Sequence, residues 1–405
     1  MGLIVQKYGG TSVADIDRIR HVANRVINTY EDGHKVVVIL SAMAGVTDSL
    51  IELAHRAAKK PSKREMDVLL ATGEQTTAAL LAMMLNELNY EARSMLGHQI
   101  SLLTDRCYGN ARIHDIQVER IQGLLQKRTI VVVAGFQGCD QDGNITTLGR
   151  GGSDTSAVAI AAALKADMCE IYTDVNGIYT ADPNAVVKAR KLDRISFEEM
   201  LEMASIGAKV LQIRSVEFAK KFKVPLHVRS TFTEEEGTMV VEEDAGMESV
   251  VVSGVTFSKN EARITLKQVP DQPGVAAKIF APVAEAGISV DMIIQNTLAS
   301  GQTDLTFTVA KGDFEVAMEI ERKVIGEIGA EDVVGDDNIA KVSITGVGMR
   351  SHPGVAARMF ATLARENINI LMISTSEIRV SCLLKEKYAE LAAQALHTEF
   401  GLDDD

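Results

Sequence analysis

Between Thr146 and Leu164 the chain reads TTLGRGGSDTSAVAIAAAL, and Arg150-Gly151-Gly152-Ser153-Asp154 within it carries groups suited to holding an anion. A guanidinium takes a carboxylate through two parallel hydrogen bonds. The two glycines lack the Cβ atoms that would keep a phosphate from the backbone, and Ser153 or Asp154 can cap the helix that follows. The first N–H groups of that helix then face the anion. A glycine-rich turn with an ordinary N-cap accounts for the same residues, so other stretches must decide. Two have the same make-up: Lys7-Tyr8-Gly9-Gly10-Thr11-Ser12, and Met43-Ala44-Gly45-Val46-Thr47-Asp48 with Ser41 just before it.

The elements that would position these groups are strands followed by helices. Leu3 to Gln6, Lys35 to Ala42, Ile130 to Ala134, Met168 to Thr173 and Leu226 to Arg229 read as short buried strands. Helices are expected near Asp15 to Tyr30, after Asp48, from Ala157 to Leu164, from Ser196 to Ala204 and from Ala208 to Phe222. A long amphipathic region, Arg64 to Leu88, is expected to break at Thr72-Gly73-Glu74. Each strand ends in a polar loop, and in open parallel sheets the loops beyond the carboxyl ends of the strands form the ligand crevice. Asn176-Gly177 and Asp182-Pro183 mark a structured turn after the fourth strand.

At 405 residues the chain is too long for one ordinary core, and two or three domains are expected. Nearly half is hydrophobic but only 4% is aromatic, with no Trp, a balance that fits α/β layers of parallel strands and packed helices. A net charge of −13 leaves no basic stripe for nucleic acid or an anionic membrane, so small molecules are the expected partners. Cys107, Cys139, Cys169 and Cys382 lack CxxC spacing and the histidines lack paired-ligand spacing, which argues against a zinc site or a disulfide framework. With neither a signal-like start nor an apolar run of membrane length, the reading is a cytoplasmic protein.

The C-terminal third repeats itself. Asp271 to Ile293 matches Ser351 to Ile373 at an offset of 80 residues without gaps, identical at 11 of 23 positions. Each copy reads βαββα; a closing strand near Glu331 to Gly335 completes the first, and the second lacks one. The β-rich run Ser249 to Phe257 precedes copy one and has no counterpart before copy two, so it is expected to complete copy two, with the first unit inserted in the second. Acidic, glycine-punctuated stretches around Glu234 and Glu242 mark the boundary. The expected domains are 1–241, 258–337, and 249–257 plus 338–405. Met247, in that boundary, is a candidate start for a separately translated regulatory chain.

Four motifs in order, Lys7-Tyr8-Gly9-Gly10-Thr11-Ser12, Leu148 to Asp154, Thr173-Asp174-Val175 with Gly177-Ile178-Tyr179, and Gly207-Ala208-Lys209-Val210-Leu211, closely resemble the aspartokinases of the amino-acid kinase family. The paired repeats resemble ACT domains. The likeness covers essentially the whole chain. It implies an α/β/α sandwich followed by two ferredoxin-like βαββαβ ACT regulatory domains. The implied activity is phosphorylation of the β-carboxylate of L-aspartate with ATP and Mg²⁺, the ion held mainly by ATP phosphates, opening the route to lysine, threonine, methionine and diaminopimelate. Lys7 then corresponds to the lysine that neutralises the transferring phosphoryl group and Asp154 to the aspartate that organises it. Ser41, Thr47, Glu74, Phe136, Arg150, Gly151, Gly152 and Ser153 correspond to the aspartate-binding set, Arg150 taking a carboxylate and Glu74 the ammonium. Lys7, Tyr8, Gly9, Gly10, Ser41, Thr173, Asp174, Tyr179, Asp182 and Lys209 correspond to the nucleotide-binding set. The family's Asp-Pro-Arg ends here as Asp182-Pro183-Asn184, leaving Lys188 or Arg190 as candidate replacements for the arginine.

The residues' own chemistry agrees. A carboxylate acceptor, with a pKa near about 3.9, is ionised at neutral pH and needs no general base. What it needs is neutralisation of two anions forced together, which the lysine, the arginine, Mg²⁺ and backbone N–H groups supply. Rivals are another kinase of this fold, acting on acetylglutamate, glutamate or a nucleoside monophosphate, and a non-catalytic amino-acid sensor; the ACT pair opposes the first, and Lys7 with Asp154 the second. A fused homoserine dehydrogenase is not expected after the second repeat. In the repeats, the Pro273-Gly274 and Pro353-Gly354 turns open helices suited to an amino acid's carboxylate. The likeness to ACT domains makes Asp271, Gly274, Ala276, Gln295, Asn369 and Ile370 the candidate effector site, for lysine or threonine, and implies a homodimer or higher oligomer through these domains.

Overall fold

The computed structural model describes residues 2–207, 210–244, 247, 250–297 and 302–403. They divide into two units, Met1–Tyr179 with Lys191–Glu248, and Thr180–Arg190 with Ser249–Asp405.

In the first unit the order is β1 (Leu3–Tyr8), α1 (Ile16–Glu31), β2 (Lys35–Leu40), α2 (Val46–Ala57), α3 (Lys63–Glu87), β3 (Ala92–Met95), β4 (Leu102–Thr104), β5 (Ile113–Ile116), α4 (Glu119–Gln126) and β6 (Ile130–Ala134). Then come β7 (Gln137–Cys139), β8 (Ile145–Thr147), α5 (Gly152–Leu164), β9 (Met168–Thr173), β10 (Arg194–Ser196), α6 (Phe197–Ile206), α7 (Ile213–Phe222), β11 (Leu226–Ser230) and β12 (Thr238–Val241). Eight strands form one sheet in the order β10-β12-β11-β9-β1-β2-β6-β3, in which β12 runs antiparallel to β11 and the pairs from β11 through β3 are parallel. The run KVVVIL of β2 shows why both faces must be covered: Val37 and Ile39 enter one apolar cluster with Ile160 and Leu164 of α5, while Val36, Val38 and Leu40 enter another with Ile19 and Val22 of α1 and Leu81 of α3. Helices therefore pack on both sides, as period-two alternation of apolar residues requires in a buried parallel strand. A small second sheet, β5-β4-β7-β8, hangs between β3 and α5 in the chain.

Three local expectations are corrected. Helix α3 runs unbroken through Thr72-Gly73-Glu74. Gly73 is there because a Cβ would lie 2.7 Å from the Cβ of Ala42: the missing side chain lets the helix approach the loop after β2. Unbroken, α3 is the described helix long and apolar enough to cross a membrane, and half of its apolar window is packed inside the protein. At α5, neither Ser153 nor Asp154 is the cap. Gly151 holds that position at φ 69°, in the left-handed region glycine tolerates, and Asp154 lies in the first turn. Helix α7 starts at Ile213, five residues later than expected, and Ala208 and Lys209 lie outside the described residues.

The second unit holds β13 (Gly254–Pro270), α8 (Val275–Glu285), β14 (Val290–Thr297), β15 (Gln302–Val309), α9 (Phe314–Ile328), β16 (Asp332–Thr345), α10 (Val355–Arg365), β17 (Met372–Thr375), β18 (Arg379–Lys385) and α11 (Ala389–Glu399). The sheet order is β14-β15-β13-β16-β18-β17. Strands β13 and β16 are each shared by both copies. Residues 261–267 of β13 pair with 332–339 of β16, and 254–258 pair with 341–345. Copy two thus receives its fourth strand from the run ahead of copy one, giving two ferredoxin-like βαββαβ units with the first inserted in the second. Residue boundaries at 257/258 and 337/338 fall within these continuous strands, a continuity that the repeat alone did not disclose.

The segment Thr180–Arg190 also belongs to this second unit. Ala181 and Val186 are buried in its core, Thr180 Oγ1 lies 2.8 Å from His397 Nε2, and Lys188 pairs with Asp403 at 3.0 Å.

Candidate active site

Strand register brings the loops together. Lys7 pairs with Ile39 on one side and Ile171 on the other, and Leu40 pairs with Ala134, so the loops after β1, β2, β6 and β9 leave the sheet side by side at its carboxyl edge. Lys7 points to the α5 face. Its Nζ lies 2.5 Å from Asp154 Oδ1, and both side chains are about nine-tenths buried, at 11% and 10% exposure. The close pairing fixes the direction of the Lys7 side chain. A Cβ at Gly9 would stand 3.5 Å from Lys7 Nζ, an ordinary contact. A Cβ at Gly10 would stand 2.9 Å from the carbonyl oxygen of Ala42.

Tyr8 closes β1, just ahead of the glycines. It is fully buried, stacked on Tyr172 with ring centroids 4.6 Å apart, so only its backbone faces the loop region; its carbonyl accepts from Ser41 N at 3.1 Å. Ser41 in turn accepts from Thr77 of α3, and Thr47 sits in the first turn of α2.

Glu74, 4% exposed, accepts from the backbone N–H of Ala42 through Oε1 at 3.1 Å, while its Oε2 is buried without a partner. Burial pushes its carboxyl up to about 7, against the N–H bond, which pulls it down. A buried acceptor left open beside a glycine loop is what an incoming ammonium would satisfy.

Phe136 is held at φ 67°, costly for a bulky residue, and its ring lies against Gly152, where a Cβ would stand 2.8 Å from Phe136 Cδ2. Ser153 lies against Gly135 in the same place. Arg150 is exposed on the turn ahead of α5. Gly151 receives the side chain of Gln212, which no Cβ would allow. Lys7, Ser41, Glu74, Phe136, Gly151, Gly152, Ser153 and Asp154 thus stand on neighbouring loops and helix starts at this edge, with Thr47 one loop on, in the first turn of α2.

Of the residues expected to bind nucleotide, Thr173 closes β9, its Oγ1 donating to the exposed Asp174 at 3.2 Å, and Tyr179 bridges to Lys191. Lys209 lies outside the described residues. Asp182 falls in the second unit, where its Oδ1 accepts from both the backbone and the side-chain amide of Asn184. Of the two candidate arginine replacements, Lys188 pairs with Asp403 and Arg190 Nε donates to the Leu402 carbonyl at 2.9 Å, so both are engaged within that unit. Two residues absent from every motif, Asp67 of α3 and Arg214 of α7, reach the loop that leads into Arg150. The only sequence signal for Asp67 is a carboxylate in a predominantly apolar helix.

The fold is an α/β enzyme architecture whose glycine loops gather at the carboxyl edge of the sheet around the buried Lys7–Asp154 pair. Residues 2–230 match the amino acid kinase family, and 263–326 and 342–400 each match an ACT domain. Aspartate kinase Ask_LysC of Stutzerimonas stutzeri is 55% identical over 404 residues, covering 100% of this chain and 98% of the relative. The structure of E. coli aspartokinase III in complex with aspartate and ADP superposes with a TM-score of 0.82 at 26% identity, over 98% of this chain and 99% of that one. The same enzyme in complex with lysine and aspartate gives 0.79 at 27% identity, with the same shares covered. The chain belongs to the aspartokinases of the amino acid kinase family: it is a nucleotide-binding kinase that phosphorylates aspartate, with two ACT domains.

Proposed function

We propose that the chain transfers the γ-phosphoryl group of ATP to the β-carboxylate of L-aspartate, giving 4-phospho-L-aspartate, as the first step of the route to lysine, threonine, methionine and diaminopimelate. The observation that carries this is the buried Lys7–Asp154 pair at the carboxyl edge of the sheet, one loop away from the open Oε2 of Glu74. Glu74 takes the substrate ammonium and Arg150 a carboxylate, so the β-carboxylate is directed at the phosphate. Lys7, aimed by Asp154, neutralises charge on the moving phosphoryl group, and the first N–H groups of α5 add fixed dipoles at the same place. The acceptor is already an anion, so no side chain has to remove a proton. Asp154 is the carboxylate beside Lys7 at this centre, and a Mg²⁺ would be held mainly by ATP phosphates. When bound, the ion lowers the charge of the phosphates that Lys7 faces. Lys7, Tyr8, Gly9, Gly10, Ser41, Thr173, Asp174, Tyr179, Asp182 and Lys209 form the proposed nucleotide set, in which Asp182 Oδ1 already accepts from Asn184.

The proposed division is a catalytic domain of 1–241, ACT domains of 258–337 and 249–257 plus 338–405, and a cytoplasmic dimer or higher oligomer built through the latter. Feedback inhibition by lysine or threonine would act at Asp271, Gly274, Ala276, Gln295, Asn369 and Ile370. In support, Met292 of β14 shares an apolar cluster with Leu371 and Met372, so the second strand of copy one lies against copy two close to Asn369 and Ile370. Asp271, Gly274 and Ala276 are exposed. The lysine complex of the E. coli relative favours lysine as one effector. Coupling of about 1–3 kcal/mol between that site and catalysis is enough for a several-fold change in activity. Inhibition curves for lysine, threonine and their mixture, on wild type and Asp271→Ala, test this. Weaker inhibition at unchanged uninhibited kcat supports it; superimposable curves remove Asp271, and no response to any effector removes the regulatory reading.

A further inference from the structure

Every backbone polar atom from Thr147 through Leu148 has an assigned partner. Asp67, fully buried, accepts from Thr147 N at 2.8 Å and Gly109 N at 3.0 Å through Oδ2, and from Thr147 Oγ1 at 2.8 Å through Oδ1. Thr147 O accepts from Ala111 N at 2.8 Å, and Leu148 N donates to Phe136 O at 2.9 Å. Arg214, half-buried on α7, donates through Nη1 to Leu148 O at 2.6 Å and Asn110 Oδ1 at 3.2 Å, and through Nη2 to Ala111 O at 3.0 Å. One anion and one cation, from helices α3 and α7, thus grip the same two strands of backbone, 109–111 and 147–148, from N–H and C=O sides respectively. The chain then passes Gly149, at φ 77° and so close to Asn110 that a Cβ would stand 2.9 Å from its Oδ1, and the next residue is Arg150.

We infer that Asp67 and Arg214 are positioning residues for aspartate binding: they fix the approach of the chain into Arg150 and the α5 turn, and so hold the guanidinium where a substrate carboxylate arrives. A buried carboxylate satisfied wholly by backbone N–H groups and one hydroxyl is a costly way to hold a loop. It is matched here by a guanidinium satisfied by two carbonyls and an amide, and both lead to the residue that must be placed to within a fraction of an ångström to be useful. The inference rests on the proposed substrate role of Arg150.

The test is steady-state kinetics on the full chain, with KM for aspartate and for ATP measured separately and thermal unfolding followed on each variant. Arg214→Gln and Asp67→Ala are expected to raise the KM for aspartate about tenfold while leaving that for ATP within about twofold. Asp67→Asn should restore most of the loss, since its carbonyl oxygen can still accept the two N–H groups and its amide can donate to Thr147 Oγ1. Should Asp67→Ala not fold, Arg214→Gln decides. Combining Arg214→Gln with Arg150→Ala distinguishes positioning from general softening: no further rise beyond Arg150→Ala supports action through Arg150, and an independent, multiplying rise overturns it. If Arg150→Ala raises the KM for aspartate but a folded Arg214→Gln does not, the positioning claim alone is overturned. If Arg150→Ala leaves it at the wild-type value, the substrate role of Arg150 is wrong and the positioning claim falls with it.

Discussion

Glu74 gives the account a pH signature. Its carboxyl stands at about 7 in the unliganded protein because burial disfavours the charged form, and one N–H from Ala42 offsets this only in part. Binding an ammonium requires the carboxylate, so free enzyme must ionise Glu74 before or as aspartate enters. With a pKa of about 7, roughly a tenth of the molecules carry the charge at pH 6 and roughly nine-tenths at pH 8, a cost of about 1.4 kcal/mol at the lower value. The kcat/KM for aspartate should therefore rise about tenfold from pH 6 to pH 8, at saturating ATP, along a single-proton curve. Glu74→Gln keeps the acceptor for Ala42 N–H but cannot carry charge; it should flatten this limb and lower kcat/KM at pH 8 by about 10–100-fold, the worth of a hydrogen bond to a charged group at about 1.5–3 kcal/mol. The assay is hydroxamate formation across the pH range on both proteins. A flat wild-type profile, or the same limb in Glu74→Gln, would refute the assignment of Glu74 to the ammonium.

Two other variants follow from packing. Gly73→Ala should lose about 1–3 kcal/mol of stability and raise the KM for aspartate, because its Cβ would press on Ala42, although alanine favours a helix by about 1 kcal/mol; a variant as stable as wild type in thermal unfolding would show that the approach is looser than described. Glu321 of α9 is fully buried, neither carboxylate oxygen has a partner, and burial pushes it up to about 7. A raised acid favours the folded state in its protonated form, so its contribution is whole below the unfolded value near 4.5 and is lost as pH rises through about 7. Glu321→Leu should therefore raise stability at pH 8 by about 1–3 kcal/mol and change little at pH 4.5; equal unfolding shifts at both pH values would contradict this.

Local features were the legible ones. The glycine loops at Gly9-Gly10 and Gly151-Gly152 lie between a strand and a helix only a few residues apart, so their placement at the carboxyl edge followed once the strands were recognised. The 80-residue repeat disclosed two like units, and counting strands in them disclosed that the run before copy one belongs with copy two. What escaped is non-local. Gly73 read as a break because its reason is Ala42, thirty-one positions away in the chain and in contact only after folding. Asp67 and Arg214 carry no pattern in their own neighbourhoods, since their partners lie in loops 42 to 104 residues off. The passage of Thr180–Arg190 into the second unit could not be read either: Ala181 and Val186 pack among residues of α11, and nothing between Tyr179 and Lys191 advertises that.

The most direct measurement is ATP- and aspartate-dependent hydroxamate formation by wild type, Lys7→Ala and Asp154→Ala, each shown folded by circular dichroism. The Lys7–Asp154 pair acts on charge that develops during transfer, so both variants should lose orders of magnitude in kcat while wild type turns over. Near-normal turnover in both folded variants would contradict the proposed catalytic centre, and a folded wild type that forms no hydroxamate would contradict the account as a whole.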